Sequence, residues 1–130
     1  FDVELTIDGY ASINTETIAF AVAGNGAEGV EGTGQIVVQS NTDITVNFQS
    51  LNGFTEPSGI LNNSVTYYVY DQEAERTSFK PKNESVGFNQ AYSQPGETIL
   101  TFKADYAPGD DWSRVAAGTY TDVVTITVAY

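Results

Sequence analysis

The sequence predicts an all-β fold, an immunoglobulin-like antiparallel β-sandwich. Three observations carry that prediction. Short runs rich in Val, Ile, Thr, Tyr and Phe recur along the chain with apolar residues at every second position, the periodicity of half-buried strands. Gly, Pro, Asn and Asp clusters separate the runs. No stretch sustains a helical period, and seven or eight short strands with turn chemistry between them are the signature of a sandwich.

Residues 1–8 (FDVELTID) alternate strictly. Phe1, Val3, Leu5 and Ile7 share one face, and Asp2, Glu4, Thr6 and Asp8 the other. Gly9 follows and frees the backbone. Residues 13–22 are a second strand, with Ile18, Phe20 and Val22 on one face, and the five glycines of residues 23–34 predict a flexible connection. Residues 35–39 and 43–49 form a strand pair around the turn residues Ser40, Asn41 and Thr42. Residues 51–63 read as a loop, 64–70 as a strand, 71–95 as polar and irregular with a short strand at 84–88, and 97–106 as a further strand. Residues 107–116 are a turn region containing Trp112. Beyond Gly118, residues 120–130 form the terminal strand, with Val124, Ile126, Val128 and Tyr130 on one face.

Composition narrows the function. At 130 residues the chain is a single folding unit by length, large enough for a core without staples. It has no Cys and no His, which removes disulfides, thiolate chemistry, the commonest general base and the commonest zinc ligands. With 5 basic against 17 acidic residues the net charge is −12, which repels nucleic acid and anionic membranes. No apolar run reaches the roughly 20 residues of a membrane span. A chain beginning at Phe1 without an initiator Met reads as a secreted product whose signal peptide has been removed.

Carboxylate pairs abound among 17 acidic residues and none stands above chance as a glycosidase pair, so no catalytic residue, cofactor or metal is assigned and the chain is read as a non-enzyme. Asp105, Asp110 and Asp111 could ligate calcium but lack EF-hand spacing, and a solvated acidic turn explains them, as it does Glu28 and Glu31. Trp112 with Tyr67, Tyr68, Tyr70 and Tyr106 could stack a sugar, although strand aromatics commonly pack the core. Asn62 and Asn83 head N-x-S sequons and are the candidate glycosylation sites.

Four stretches carry a resemblance. TGQIVVQSNTDITVNFQSLNG, VTYYVYDQEAERTSF, LTFKADYAPGDDWSRVAAGTY and YTDVVTITVAY occur in that order over the last three quarters of the chain. Together they resemble the spore coat protein U domain family, which includes the archaic chaperone–usher pilins. Many members join an early strand to the second strand block by a disulfide. The corresponding positions fall near Ile13 and Ser40, and neither is Cys. That departure points to a Cys-less branch or to another secreted filament lineage, such as the camelysin-like matrix fibre proteins.

The resemblance implies an incomplete sandwich completed by a donor strand from a neighbouring subunit. Residues 1–11 are then the donor arm and 12–130 the pilin domain. Phe1, Val3, Leu5 and Ile7 are the plugs, and Ile18, Phe20, Val124, Ile126 and Val128 line the acceptor groove. Four large apolar side chains, fully buried, would contribute on the order of 6–12 kcal/mol before ordering costs. The expected product is a pilus or extracellular fibre on the cell surface for adhesion or biofilm formation. Its partners are identical subunits, with a periplasmic chaperone and an outer-membrane usher. Two alternatives stay open at this stage. Residues 1–8 could be the first strand of their own complete sandwich, and the chain could be a monomeric secreted module binding glycans or a protein partner.

Overall fold

A computed structural model describes residues 2–15, 29–82 and 85–130. Two antiparallel sheets carry the fold. The elements are β1 (Ala11–Thr15), β2 (Val30–Ser40), β3 (Ile44–Ser50), the short helix α1 (Ile60–Ser64), β4 (Val65–Asp71), β5 (Ala74–Phe79), β6 (Val86–Gln90), β7 (Glu97–Tyr106) and β8 (Val124–Ala129), with a 3-10 turn at Trp112–Arg114 before β8. One sheet has five strands in the order β1-β2-β7-β4-β5, and the other has three in the order β6-β3-β8. The all-β sandwich read from the sequence is therefore the architecture observed.

Alternation builds the core. Along β7 the inward positions Leu100, Phe102, Ala104 and Tyr106 are buried, while Thr101, Lys103 and Asp105 face outward. The same rhythm buries Val65, Tyr67 and Val69 on β4 and Ile44, Val46 and Phe48 on β3. Where the sheets face each other, the rings of Phe48, Tyr67, Phe79 and Phe102 meet with centroids 5.2–6.3 Å apart, the separation at which aromatic pairs add to simple burial.

Several elements differ from the sequence expectation. β2 begins at Val30 rather than Gln35, so residues 30–34 are strand and not flexible connection. Its inward positions Gly32 and Gly34 are buried opposite Ala104 and Phe102, where the β7 side chains supply the bulk and glycine leaves no apolar signal. β5 occupies a stretch read as irregular. It is an edge strand with one buried residue, Phe79, so its other positions show no apolar alternation. The expected strand 84–88 is displaced to Val86–Gln90, and α1 lies inside the expected loop 51–63. β1 covers the start of the expected strand 13–22, and residues 16–22 lie outside the described residues. Residues 2–8, which alternate like a strand, carry no strand pairing.

Candidate functional site

The sandwich has two flanks, and they are built differently. On one flank β5, the last strand of the five-stranded sheet, lies beside β6, the edge of the three-stranded sheet. Arg76 of β5 joins them. Its Nη2 donates to the Gln90 side-chain oxygen and lies 3.3 Å from an Asp71 carboxylate oxygen, and its guanidinium sits 5.0 Å from the centre of the Phe88 ring. Behind this clasp Phe79 is buried.

On the other flank β1 lies beside β8, and among the described residues neither strand has a partner on its outer edge. No side-chain hydrogen bond, ion pair or ring contact joins the two among the described residues. The apolar side chains between them are only partly covered. Val124, Ile126 and Val128 pair with Ser50, Phe48 and Val46, three fully buried residues, so by register they point inward; yet each remains half-buried. Ile13 pairs with Val38, which is fully buried, and is itself 39% exposed. Among the described residues Ile13 is thus an inward-facing apolar side chain that its neighbours leave partly uncovered. Among the described residues no strand pairs with the outer edge of β8, and an open edge beside partly covered apolar side chains is a template for an added strand.

Residues 2–10 supply a strand of matching character. Val3, Leu5 and Ile7 are 86%, 83% and 77% exposed. No hydrogen bond or ion pair links residues 2–7 to any other described residue. At residues 8–10 the arm is pinned by Asn41, in the turn between β2 and β3. The Tyr10 backbone N–H donates to Asn41 Oδ1 at 2.7 Å, Asn41 Nδ2 donates to the Asp8 carbonyl at 2.9 Å, and the Asn41 backbone N–H donates to the Tyr10 carbonyl at 3.2 Å. A Cβ placed on Gly9 would lie 3.4 Å from Thr42 and 3.7 Å from the ring of Tyr130, so the root of the arm sits at the C-terminal end of β8.

The opposite end of β8 is closed by a polar bridge between the sheets. Asp122 Oδ2 accepts from Ser50 Oγ at 2.6 Å and from the Tyr67 hydroxyl at 2.5 Å, and Ser50 Oγ accepts from the Lys82 backbone N–H at 3.1 Å. Burial, and then the bond to and charge of Asp122, push the Tyr67 hydroxyl far above its ordinary pKa, so it stays a donor at every working pH. Asp122 Oδ1 is buried without a hydrogen-bond partner.

Of the residues singled out in the sequence, Phe1, Ile18, Phe20, Glu28 and Asn83 lie outside the described residues. Val3, Leu5 and Ile7 stand on the exposed arm, and Val124, Ile126 and Val128 on the open flank. Asn62 is half-buried in α1, with its side-chain oxygen accepting from the Phe54 N–H at 2.8 Å. The aromatic set for sugar stacking is dispersed: Tyr67 and Tyr106 are buried in the core, and Trp112 lies in the 3-10 turn. Tyr68 and Tyr70 lie on the outer face of the large sheet under the Lys103 ammonium, 4.9 and 5.6 Å from their ring centres. Asp110 and Asp111 are exposed, and among the described residues no group of three or more acidic side chains is gathered in metal-binding geometry. No helix among the described residues is long and apolar enough to cross a membrane.

Ile13 was not singled out as a groove residue in the sequence. The sequence pattern places the apolar face of residues 13–22 in even phase, through Ile18, Phe20 and Val22, whereas β1 faces the core in odd phase. The change of phase between Ile13 and Ile18 was the signal available. Comparison with protein-family models, with curated proteins and with solved structures found no match, so the class the fold defines is a two-sheet all-β sandwich.

Proposed function

We propose that this chain is a non-catalytic structural subunit that polymerises by strand exchange into an extracellular fibre of the pilus type. One observation carries the reading: a single chain holds both an exposed arm with alternating large apolar side chains and a sandwich flank whose inward apolar side chains are half-uncovered. Each part meets the demand of the other. An arm seated along β8 would bury Val3, Leu5 and Ile7 against Ile13, Val124, Ile126 and Val128. It would pair its backbone with the β8 edge and leave Asp2, Glu4, Thr6 and Asp8 in solvent, where their charge costs no desolvation.

The poles of the domain give the assembly its direction. β8 runs from the Asp122 pole to the Tyr130 pole, and the arm is rooted at the Tyr130 pole. A neighbour's arm pairing antiparallel to β8, as every described strand pair does, would bring its own root to the acceptor's Asp122 pole. Donor and acceptor surfaces then lie at opposite ends of each subunit, a heterologous contact that propagates as a fibre. A parallel arrangement would place both roots at one pole and close a reciprocal pair.

The resemblance to the spore coat protein U domain family agrees with this reading and extends it to a secreted, cell-surface filament used in adhesion or biofilm formation, assembled with a chaperone and usher. Deleting residues 1–8 tests the core of the proposal. The truncated chain should form no fibres and should take up a peptide of residues 1–8 in trans. Fibres that persist after the deletion would sink it.

A further inference from the structure

Strand exchange has an intramolecular competitor. The arm is tethered beside the groove it would fill in a neighbour, and a short tether gives an effective concentration in the millimolar range, far above that of another subunit in dilute solution. An arm folded back on its own domain would seal the flank and end assembly. The most local way to fold back is a hairpin of the arm on β1, closed by the two residues between Asp8 and Ala11, namely Gly9 and Tyr10. A turn of that length takes type I′ or II′ geometry, with positive φ at its first central residue, and such turns commonly place the N–H of Ala11 on the Asp8 carbonyl.

The structure shows the opposite arrangement at that point. Positive φ among the described glycines occurs at Gly53, Gly59 and Gly96, not at Gly9, although glycine could adopt it freely. The acceptor the turn would use, the Asp8 carbonyl, is engaged by Asn41, and Tyr10, the second residue of that turn, is held by the same residue. Asn41 Nδ2 is on the Asp8 carbonyl, Asn41 Oδ1 takes the Tyr10 N–H, and the Asn41 N–H is on the Tyr10 carbonyl. Both ends of one amide side chain, and the backbone N–H of the same residue, are spent on Asp8 and Tyr10, which flank Gly9 at the root of the arm. Beyond that root, residues 2–7 are held by nothing described. A clamp confined to the hinge of an otherwise free arm controls where the arm can go.

We propose that Asn41 is a positioning residue that keeps the arm out of its own groove and so commits it to a neighbouring copy of the chain. This rests on the strand-exchange reading above, and the test separates the two. The full-length chain and its N41A and N41D variants are diluted from denaturant. Each is then followed for fibre growth, for the share remaining monomeric, and for uptake of a fluorescent peptide with the sequence of residues 1–8. N41D keeps an acceptor for the Tyr10 N–H and the turn chemistry of the loop while losing the donor to Asp8, so it guards against a folding defect in N41A.

The expected result is that N41A folds, takes up peptide about tenfold more slowly, grows fibres correspondingly more slowly and leaves more monomer with a sealed groove. Tenfold is the order expected for two hydrogen bonds lost at a solvent-exposed site. N41D shifts in the same direction by less. Variants that take up peptide and grow fibres at the wild-type rate, with or without a lowered melting temperature, would overturn the role of Asn41 and leave strand exchange standing. A wild-type chain that neither takes up peptide nor forms fibres would overturn both.

Discussion

The two flanks of this sandwich face the same physical problem and meet it differently. Each lies where a strand of one sheet ends beside a strand of the other, with apolar residues between them. On the β5–β6 flank Phe79 is buried in a cluster of four rings, and Arg76 spans the edge through Gln90, Asp71 and Phe88. On the β1–β8 flank the inward residues are aliphatic, no side-chain clasp crosses among the described residues, and Ile13 stays 39% exposed. The inward β6 residues Val86 and Phe88 are half-buried like those of β8, so the contrast rests on the buried Phe79 and the Arg76 clasp of one flank against the exposed Ile13 of the other. In the strand-exchange proposal the open side is the surface that a neighbour's arm would cover.

The largest effect should come from damage to the closed flank. Phe79→Ala removes a buried ring and should cost about 3–5 kcal/mol of monomer stability, seen as a lower denaturant midpoint with or without assembly. On the open flank the pattern should invert. Leu5→Ala should leave the unfolding of the monomer within about 0.5 kcal/mol of wild type, because that side chain is 83% exposed, and should weaken the subunit contact by about 2–3 kcal/mol, read as faster dissociation of fibres in denaturant. A Leu5→Ala monomer as destabilised as Phe79→Ala would mean that the arm belongs to its own fold. Arg76→Ala should cost about 1 kcal/mol, since its ion pair is exposed and its ring contact modest, and should not alter assembly.

The smallest effect is one of pH. Glu56, buried ahead of α1, would be pushed up by burial, but the side-chain and backbone bonds from Ser58 and the backbone bond from Leu61 outweigh this and hold it below the ordinary 4.5. A carboxyl depressed in the folded state contributes stability above its ordinary value and loses it as the pH falls through the depressed one. Monomer stability should therefore decline below about pH 4.5, and Glu56→Gln should flatten that acid limb in urea titrations without changing fibre growth at neutral pH.

How much of this was legible in the sequence depends on where each strand finds its partner. β7 matches its expected bounds, residues 97–106, because Leu100, Phe102, Ala104 and Tyr106 alternate with polar residues and Pro95–Gly96 and Pro108 bracket them. The inward face of β8 was legible for the same reason. β5 was not, since an edge strand with one buried ring has too little apolar alternation to register. The first part of β2 was hidden by Gly32 and Gly34, which fill inward positions without hydrophobicity. Residues 1–8 show a further limit. Alternation says that a segment will pair wherever a sheet edge is offered, but not whether that edge lies in the same chain, and residues 2–8 are unpaired in this one. Asn41 is marked in the sequence as a turn residue, but its bonds to Asp8 and Tyr10 depend on a chain reversal that brings residues 8–10 beside residue 41.

The absence of cysteine makes the central claim directly measurable, because any disulfide in an engineered variant can come only from the introduced residues. Chains carrying Leu5→Cys alone and chains carrying Ile126→Cys alone are mixed, allowed to assemble and oxidised, in parallel with a Leu5→Cys/Ile126→Cys double variant. Strand exchange between neighbours predicts a covalent heterodimer from the mixture and a ladder of covalent oligomers from the double variant on a denaturing, non-reducing gel. A double variant that oxidises only to an internally bridged monomer, with no heterodimer from the mixture, would show that the arm closes its own sandwich and would contradict the account.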